Sequence, residues 1–131
     1  MLKFIIHLGL LTTLAFSLVA CNKSNSLDPT DAASHVYKKV LENDDIRMLV
    51  ATLPAGEKEP RPHAHPKHAI YVIVGGELTQ YPVEGSPEKV TLKTGEAEFM
   101  DATTTPYYNE NTGTTTIQWL VVEFKKEENQ E

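Results

Sequence analysis

Residues 62–78 read PHAHPKHAIYVIVGGEL, three histidines followed by an unbroken apolar run and two glycines. In a strand, side chains two residues apart share a face, so His63 and His65 present two imidazoles together. The apolar run at 69–74 is typical of a strand that is buried on both faces or lies at a barrel seam, and the glycine pair ends it. This pattern predicts a β-rich domain with a histidine site just before a buried strand.

Short β-rich runs separated by turn residues fill the rest of the body. The runs 35–41 and 46–53 flank a polar cluster at 42–45, which predicts a hairpin, although the first run could instead form a helix. Further predicted strands are 77–81, 89–93, 96–100, 107–111 and 114–124. About eight or nine short strands with no strong helix predict an all-β sandwich or barrel in a single domain.

The composition is that of an ordinary globular chain. The 131 residues are 40% hydrophobic and 23% charged, which disfavours a disordered chain or a collagen-like repeat. The net charge is −6, and no basic run is long enough to follow phosphates, so nucleic acid is not expected as a partner. The single cysteine, Cys21, excludes an internal disulfide and a CxxC zinc or redox site.

The first 21 residues have the layout of a secretory signal peptide. Lys3 supplies the positive end, an apolar core runs over 4–19, and a small residue precedes Cys21. The block LVAC at 18–21 resembles the bacterial lipobox, in which a lipid such as palmitate is attached to the cysteine and the chain is cleaved before it. A transmembrane helix is the alternative, but the run is short for a span of about 20 residues and polar residues interrupt it.

This resemblance implies a division of the chain and a location in the cell. Lipid on Cys21 is expected to hold the protein on a membrane of the bacterial cell envelope. Asn22 at the next position favours the outer membrane, at its periplasmic face or at the cell surface. The expected parts are a lipoprotein signal peptide at 1–20, the lipidated cysteine and a flexible tether at 21–30, the folded domain at 31–125 and a charged tail at 126–131.

Two blocks of the sequence resemble the two signatures of the cupin superfamily. The first, at 56–78, contains a glycine, the HxH pair, a hydrophobic strand and a closing glycine. The second, at 92–96 with 109–113, contains a turn glycine and an asparagine. The resemblance covers about residues 36–125 and implies a double-stranded β-helix, which is a jelly-roll barrel.

The cupin resemblance also implies a metal site, which this chain keeps in part. His63 and His65 match two histidine ligands, while no carboxylate stands where a glutamate usually follows, and His68 is the nearest substitute. Tyr107 stands where the fourth ligand of the family, a histidine, is usual, and a phenolate is a costly ligand because the reference pKa of tyrosine is about 10. We therefore expect a divalent transition metal (Fe, Mn, Ni or Zn) on the three histidines, with Tyr107 or water completing the shell.

Two functional classes stay open. The incomplete ligand set favours a membrane-tethered module that binds a metal, a small molecule or both in its barrel without turnover. The alternative is a metal-dependent enzyme of the dioxygenase or isomerase type acting on a small molecule, since fold alone does not fix function. A ligand pocket is expected to include Tyr71, Gln118 and Arg61, the last as a partner for an anionic substrate. A homodimer paired through edge strands is also expected.

Overall fold

The structure, a computed structural model, describes residues 26–125. One short helix, α1 (Pro29–Ala32), comes before the strands. The strands are β1 (Tyr37–Glu42), β2 (Ile46–Leu53), β3 (His68–Val74), β4 (Gly76–Pro82), β5 (Glu88–Leu92), β6 (Ala97–Met100), β7 (Tyr107–Asn111) and β8 (Ile117–Phe124). Within the described residues no helix is long and apolar enough to span a bilayer. The predicted signal peptide at 1–20, Cys21 and the predicted tail at 126–131 lie outside the described residues.

The strands form two antiparallel sheets whose inner faces enclose the core. The larger sheet has the order β1-β2-β8-β3-β6 and the smaller one the order β5-β4-β7. Strand β8 is central, since it pairs with β2 from Ile117 to Phe124 and with β3 on its other side. Burial alternates along β8, so that every second side chain points into the core. The inward set is Ile117, Trp119, Val121 and Glu123, which places one carboxylate at the end of an apolar row.

The predicted hairpin is confirmed, and the helical alternative for its first run is wrong. Strands β1 and β2 pair with each other. In the turn, the side-chain oxygen of Asn43 accepts hydrogen bonds from the backbone N–H groups of Asp45 and Ile46. This Asx-type arrangement stabilises the turn, and the chain on its N-terminal side forms the extended strand β1.

Strand β3 is buried on one face, so the first of the two expectations for the apolar run at 69–74, burial on both faces, is wrong. Its inward residues line the barrel, whereas Tyr71 is 48% exposed, and Ile73 and Val74 are exposed as well. We call the solvent side of the five-stranded sheet the outer face. This face is apolar across neighbouring strands, which explains why β3 reads as a continuous apolar run although only one side of it meets the core.

Residues 26–30, which the sequence assigns to a flexible tether, are fixed to the barrel. The backbone N–H of Ala64 donates to the carbonyl of Leu27 at 2.9 Å. The carboxylate of Asp28 caps α1 by accepting from the N–H of Thr30, and its second oxygen accepts from Arg47 at 2.6 Å. The N-terminal segment therefore reaches both the HxH segment and β2.

Candidate functional site

The three predicted histidines lie side by side inside the barrel. His63 exchanges two backbone hydrogen bonds with Tyr107, and His65 accepts at its carbonyl from the N–H of Thr103. These bonds hold the HxH segment against the strand and loop opposite. His63, His65 and His68 are each at most 4% exposed. The ring centroids are 4.9 Å apart for His63 and His65, and 4.8 Å apart for His65 and His68. The structure thus brings the sequence-predicted cluster together.

A chain of buried charges holds His65. Its Nδ1 lies 2.7 Å from one carboxylate oxygen of Glu123. The other oxygen of Glu123 accepts from Nε of Arg47 at 2.5 Å, and Nη1 of Arg47 donates to Asp28 at 2.6 Å. Because Glu123 pairs laterally with Arg47 on β2, the sheet register sets the contact between these two residues.

The interactions among His65, Glu123 and Arg47 determine the protonation state of His65. Burial lowers the pKa of His65, and this outweighs the hydrogen bond to Glu123, which raises it. For Glu123, burial acts to raise the pKa, but hydrogen bonds from His65 and Arg47 outweigh it and lower the pKa. Near neutral pH Glu123 is therefore ionised and His65 is neutral, with its proton on Nδ1 and a lone pair on Nε2.

The Nδ1 atom of His68, like that of His65, faces an oxygen, which here belongs to the backbone. Its Nδ1 lies 2.7 Å from the carbonyl oxygen of Pro66. A carbonyl only accepts, so Nδ1 carries the proton, and neutral His68 has its lone pair on Nε2. Neither the Nε2 of His65 nor that of His68 has a hydrogen-bond partner among residues 26–125. Metal-binding imidazoles have this arrangement, with one ring nitrogen held by an oxygen and the other left to bind.

His63 differs, because both of its ring nitrogens face protein groups. Nδ1 lies 3.2 Å from a carboxylate oxygen of Glu59, outside hydrogen-bond geometry, and is the one buried side-chain polar atom left without a partner in the described part of the chain. Nε2 lies 3.2 Å from the hydroxyl of Tyr37. Burial, with the charge of Glu59, raises the pKa of Tyr37 well above 10, so its hydroxyl stays protonated. The nearby carboxylate of Glu59 favours the tautomer with the proton on Nδ1, and in that tautomer Nε2 accepts from the hydroxyl of Tyr37.

Tyr107 lies beside the cluster as a neutral phenol. Its ring centroid is 4.8 Å from that of His63. Burial raises its pKa, and the charges of Glu59 and Glu123 raise it further. Without a bound metal, Tyr107 therefore offers a protonated hydroxyl group to a ligand.

A cavity of about 110 Å³ opens beside His65 and His68. Its volume holds several water molecules or one small ligand. Some residues of the cavity wall also line an outer chamber of about 320 Å³, and the loop 101–105 forms another part of the lining of that chamber. His63 does not line either space. The inner wall comprises Tyr37, His65, His68, Ile70, Leu78, Gln80, Val90, Leu92, Glu98, Met100, Tyr107, Asn109, Trp119 and Val121.

The inner cavity is lined mainly by apolar side chains, and the charged side chains that line the two spaces are all acidic. Among the described residues, no lysine or arginine lines either one, while Glu98 lines the inner cavity and Glu88 and Asp101 line the outer chamber. Such a surface favours cations over anions. The fit to a metal is partial: His65 and His68 suit one, whereas within residues 26–125 no group of three or more His, Cys, Asp or Glu is arranged to hold an ion.

Three residues predicted for the ligand pocket lie elsewhere. Tyr71 points from β3 to the outer face, because His68, Ile70 and the other alternate residues take the inward positions. Gln118 lies on the outward side of β8, where its amide donates to Thr52. Arg61 donates to the backbone carbonyl of Asp31 and is not among the residues that line the inner cavity.

Four residues that hold the histidines in place escaped the sequence analysis: Tyr37, Arg47, Glu59 and Glu123. Tyr37 and Glu123 contact the histidines across 26 and 58 residues of sequence, and Arg47 acts through Glu123. Glu59, by contrast, lies only four residues before His63. A further local signal is at Glu123, a carboxylate at an inward position of an otherwise apolar alternation. A buried charge at such a position requires a partner, and this could have pointed to the site.

Two facing antiparallel sheets around a cavity that ends in a histidine cluster define a double-stranded β-helix barrel. The chain matches the cupin domain model over residues 49–123, more than half of its length. The chain therefore belongs to the cupin family, and the predicted fold class is confirmed. No curated protein matches it.

Solved structures share this fold at low sequence identity. A cupin domain from Bordetella pertussis Tohama I is 16% identical, with a TM-score of 0.63 over 70% of this chain and 93% of that one. An RmlC-like cupin family protein from Methanocaldococcus jannaschii is 19% identical, with a TM-score of 0.54 over 68% and 78%. An uncharacterised double-stranded β-helix protein from Klebsiella pneumoniae is 22% identical, with a TM-score of 0.52 over 66% and 73%. These likenesses concern the fold.

The buried row of charged residues, His65, Glu123, Arg47 and Asp28, predicts that the free energy of unfolding falls as the pH is lowered. The pKa values of His65, Glu123 and Asp28 are lower in the folded chain than their ordinary values of 6.5, 4.5 and 3.8, so the unfolded chain takes up protons first as pH falls. In urea titrations with chelator present, the unfolding free energy should fall below about pH 6.5 and more steeply below about pH 4.5.

A histidine substitution separates the contribution of His65 to the pH dependence of stability from the contributions of the carboxylates. His65→Gln should remove most of the decline between pH 6.5 and 5, whereas His35→Gln, at a half-exposed side chain, should leave it in place. A wild-type profile that is flat down to pH 5 would contradict the assignment of a neutral, buried His65.

Proposed function

We propose that this protein is a non-catalytic binding module of the bacterial envelope that holds an exchangeable divalent transition metal in its barrel. The Nε2 atoms of His65 and His68 are the proposed ligands. The observation that carries the proposal is the pair of buried imidazoles whose Nδ1 atoms are held by oxygens and whose Nε2 atoms have no protein partner. Imidazole nitrogen suits Zn, Fe and Ni in particular.

The number of protein ligands supports exchange rather than permanent binding. Catalytic zinc sites have three protein ligands and structural sites have four, whereas two imidazoles leave most positions to water or a small molecule. The cavity of about 110 Å³ has room for such a molecule, and Gln80, Asn109 and the hydroxyl of Tyr107 offer it hydrogen bonds. The carboxylates of the cavity walls favour entry of a cation.

The position in the envelope rests on the sequence of residues 1–21, which lie outside the described structure. The signal-like apolar segment and the LVAC block support attachment of lipid at Cys21. A barrel tethered in this way would bind its metal at the membrane surface.

The metal site is tested by comparing histidines. We expect His65→Ala and His68→Ala each to weaken Zn²⁺ or Ni²⁺ binding by at least about 10–100-fold, because each removes one of two ligands. Calorimetry on the purified chain and elemental analysis of protein prepared without chelator would measure this. His35→Ala, at a half-exposed histidine, is the matched control and should bind as the wild type does. Wild-type protein that takes up no metal would refute the proposal.

Tyr37→Phe should strengthen metal binding. The substitution removes the hydroxyl that donates to Nε2 of His63, which frees a third imidazole lone pair beside His65. We expect a gain in metal affinity that calorimetry measures against the wild type. Tyr71→Phe, on the outer face, should change nothing. Unchanged or weaker binding by Tyr37→Phe would mean that His63 lies out of reach of the metal.

Lipid attachment is tested by fractionation of cells that express the full chain. The wild type should sediment with membranes, and Cys21→Ser should move the protein to the soluble fraction, since several acyl chains are needed for stable anchoring. Labelling with radioactive palmitate should be lost in the same variant. Persistent membrane association of Cys21→Ser without label would argue for a different anchor.

A further inference from the structure

Four side chains at the inner cavity offer hydrogen-bond acceptors to a ligand. Nδ1 of His65 and Nδ1 of His68 each lie 2.7 Å from an oxygen, so the two Nε2 atoms carry lone pairs. Both rings line the cavity and are at most 4% exposed, and the carboxylate of Glu98 lines it as well. With the proton of His63 on Nδ1, the hydroxyl of Tyr37 donates to His63, and its oxygen still accepts. A ligand that brings several donors complements this set.

The acidic side chains around the cavity are not neutralised by neighbouring cations. Glu98 lines the inner cavity, and Glu88 and Asp101 line the outer chamber. Among residues 26–125 none of these three carboxylates forms an ion pair, and no lysine or arginine lines either space. Such a negative field attracts a positive ligand and repels carboxylates and phosphates. The buried, unpartnered nitrogens of the two histidines give this field a site with ligand-binding groups of its own.

Most of the remaining inner wall is apolar. A ligand gains about fourfold in affinity for each CH₂ group that it buries against such a wall. Gln80 and Tyr107 line both spaces and each offers a donor and an acceptor, so they do not select between classes of ligand. The wall therefore favours a ligand with a short hydrocarbon stem. The apolar side chains of the wall include Ile70, Leu78, Val90, Leu92, Trp119 and Val121.

We infer that the barrel also binds a small primary amine in its protonated form, with the ammonium group donating to Nε2 of His65 and of His68 and a short hydrocarbon stem on the apolar wall. A primary ammonium group carries one positive charge and three N–H donors and has no acceptor, which matches the acceptors and the acidic surroundings together. The inference uses the two histidines of the proposed function but does not require that a metal binds there. Because amine and metal would share the same lone pairs, each should exclude the other.

Tryptophan fluorescence reports whether the cavity is occupied, because Trp119 lines it and is the single tryptophan of the chain. We would titrate the purified full-length chain, with EDTA present, with n-butylamine, which is protonated at neutral pH as a lysine side chain is. The change should saturate with a dissociation constant in the micromolar to millimolar range that a very small ligand allows. Ethylamine should bind more weakly, by about fourfold for each CH₂ group it lacks.

Three further probes separate charge from hydrogen bonding. 1-Butanol, which has the same stem without the charge, should bind at least about tenfold more weakly, since a charged donor makes the stronger hydrogen bond. Butyrate should not bind, because its charge is negative. Tetramethylammonium, a cation with no N–H donor, should bind more weakly than n-butylamine. Butanol or butyrate that binds as tightly as n-butylamine would overturn the inference, as would the lack of any saturable change with n-butylamine below about 100 mM.

A pair of glutamate variants tests where the charge is read. Glu98→Gln should weaken n-butylamine binding up to about fivefold, the range for a partly solvated ion pair, and should leave 1-butanol binding unchanged. Glu77→Gln is the matched control, since Glu77 is also exposed and lines neither space. Equal losses in the two variants would contradict the placement of the amine in this cavity.

Competition with Zn²⁺ distinguishes this inference from the proposed metal function. Saturating Zn²⁺, in buffer without EDTA, should lower the apparent affinity for n-butylamine, and simultaneous binding of the two would overturn the assignment of the ammonium group to the histidine nitrogens. Calorimetry with Zn²⁺ alone decides the metal function by itself. A chain that binds n-butylamine but no Zn²⁺ would retain the inference and refute the metal proposal, and a chain that binds Zn²⁺ but no amine would do the reverse.

Discussion

A carboxylate inside an apolar barrel is tolerated only when donors meet both of its oxygens, and Glu123 satisfies this condition. One oxygen accepts from His65 and the other from Arg47, which is itself bound to Asp28. Removing one partner from such a buried pair typically costs roughly 3–5 kcal/mol, because the remaining charge stays uncompensated. The same contacts set the tautomer of His65 and thereby the direction of its free lone pair. The carboxylate of Glu123 thus contributes both to the stability of the barrel and to the orientation of His65.

The fold was largely predictable from sequence, because its signals are local. Turn residues, the alternation in β8 and the apolar run of β3 together indicate an all-β barrel, and the HxH pair indicates where its site lies. The misassignment of Tyr71 shows the limit of such signals. A continuous apolar run does not reveal which alternate residues face inward, and an apolar outer face hides the alternation that would settle it.

The site was predictable only in part, because its chemistry depends on contacts between distant segments. The spacing of the histidines indicates the cluster, but it does not show that Nε2 of His63 contacts Tyr37 while Nε2 of His65 has no protein partner among the described residues. Arg61 reads as a charge next to the HxH pair, yet its bond to the backbone of Asp31 takes it from the cavity. Residue types at a given spacing specify candidate donors, whereas the three-dimensional packing specifies which donors are already occupied.

The position of Asp28 has a mechanical consequence. Any pull on the chain before residue 26 enters the barrel next to Asp28 and is borne first by its ion pair with Arg47 and by the bond from Ala64 to the carbonyl of Leu27. The ion pair of Asp28 with Arg47 connects through Glu123 to His65. The bond to Leu27 comes from Ala64, which lies between His63 and His65. Under the lipid anchoring proposed above, tension applied through the N-terminus would therefore reach the residues that hold the histidine cluster before it reached the core.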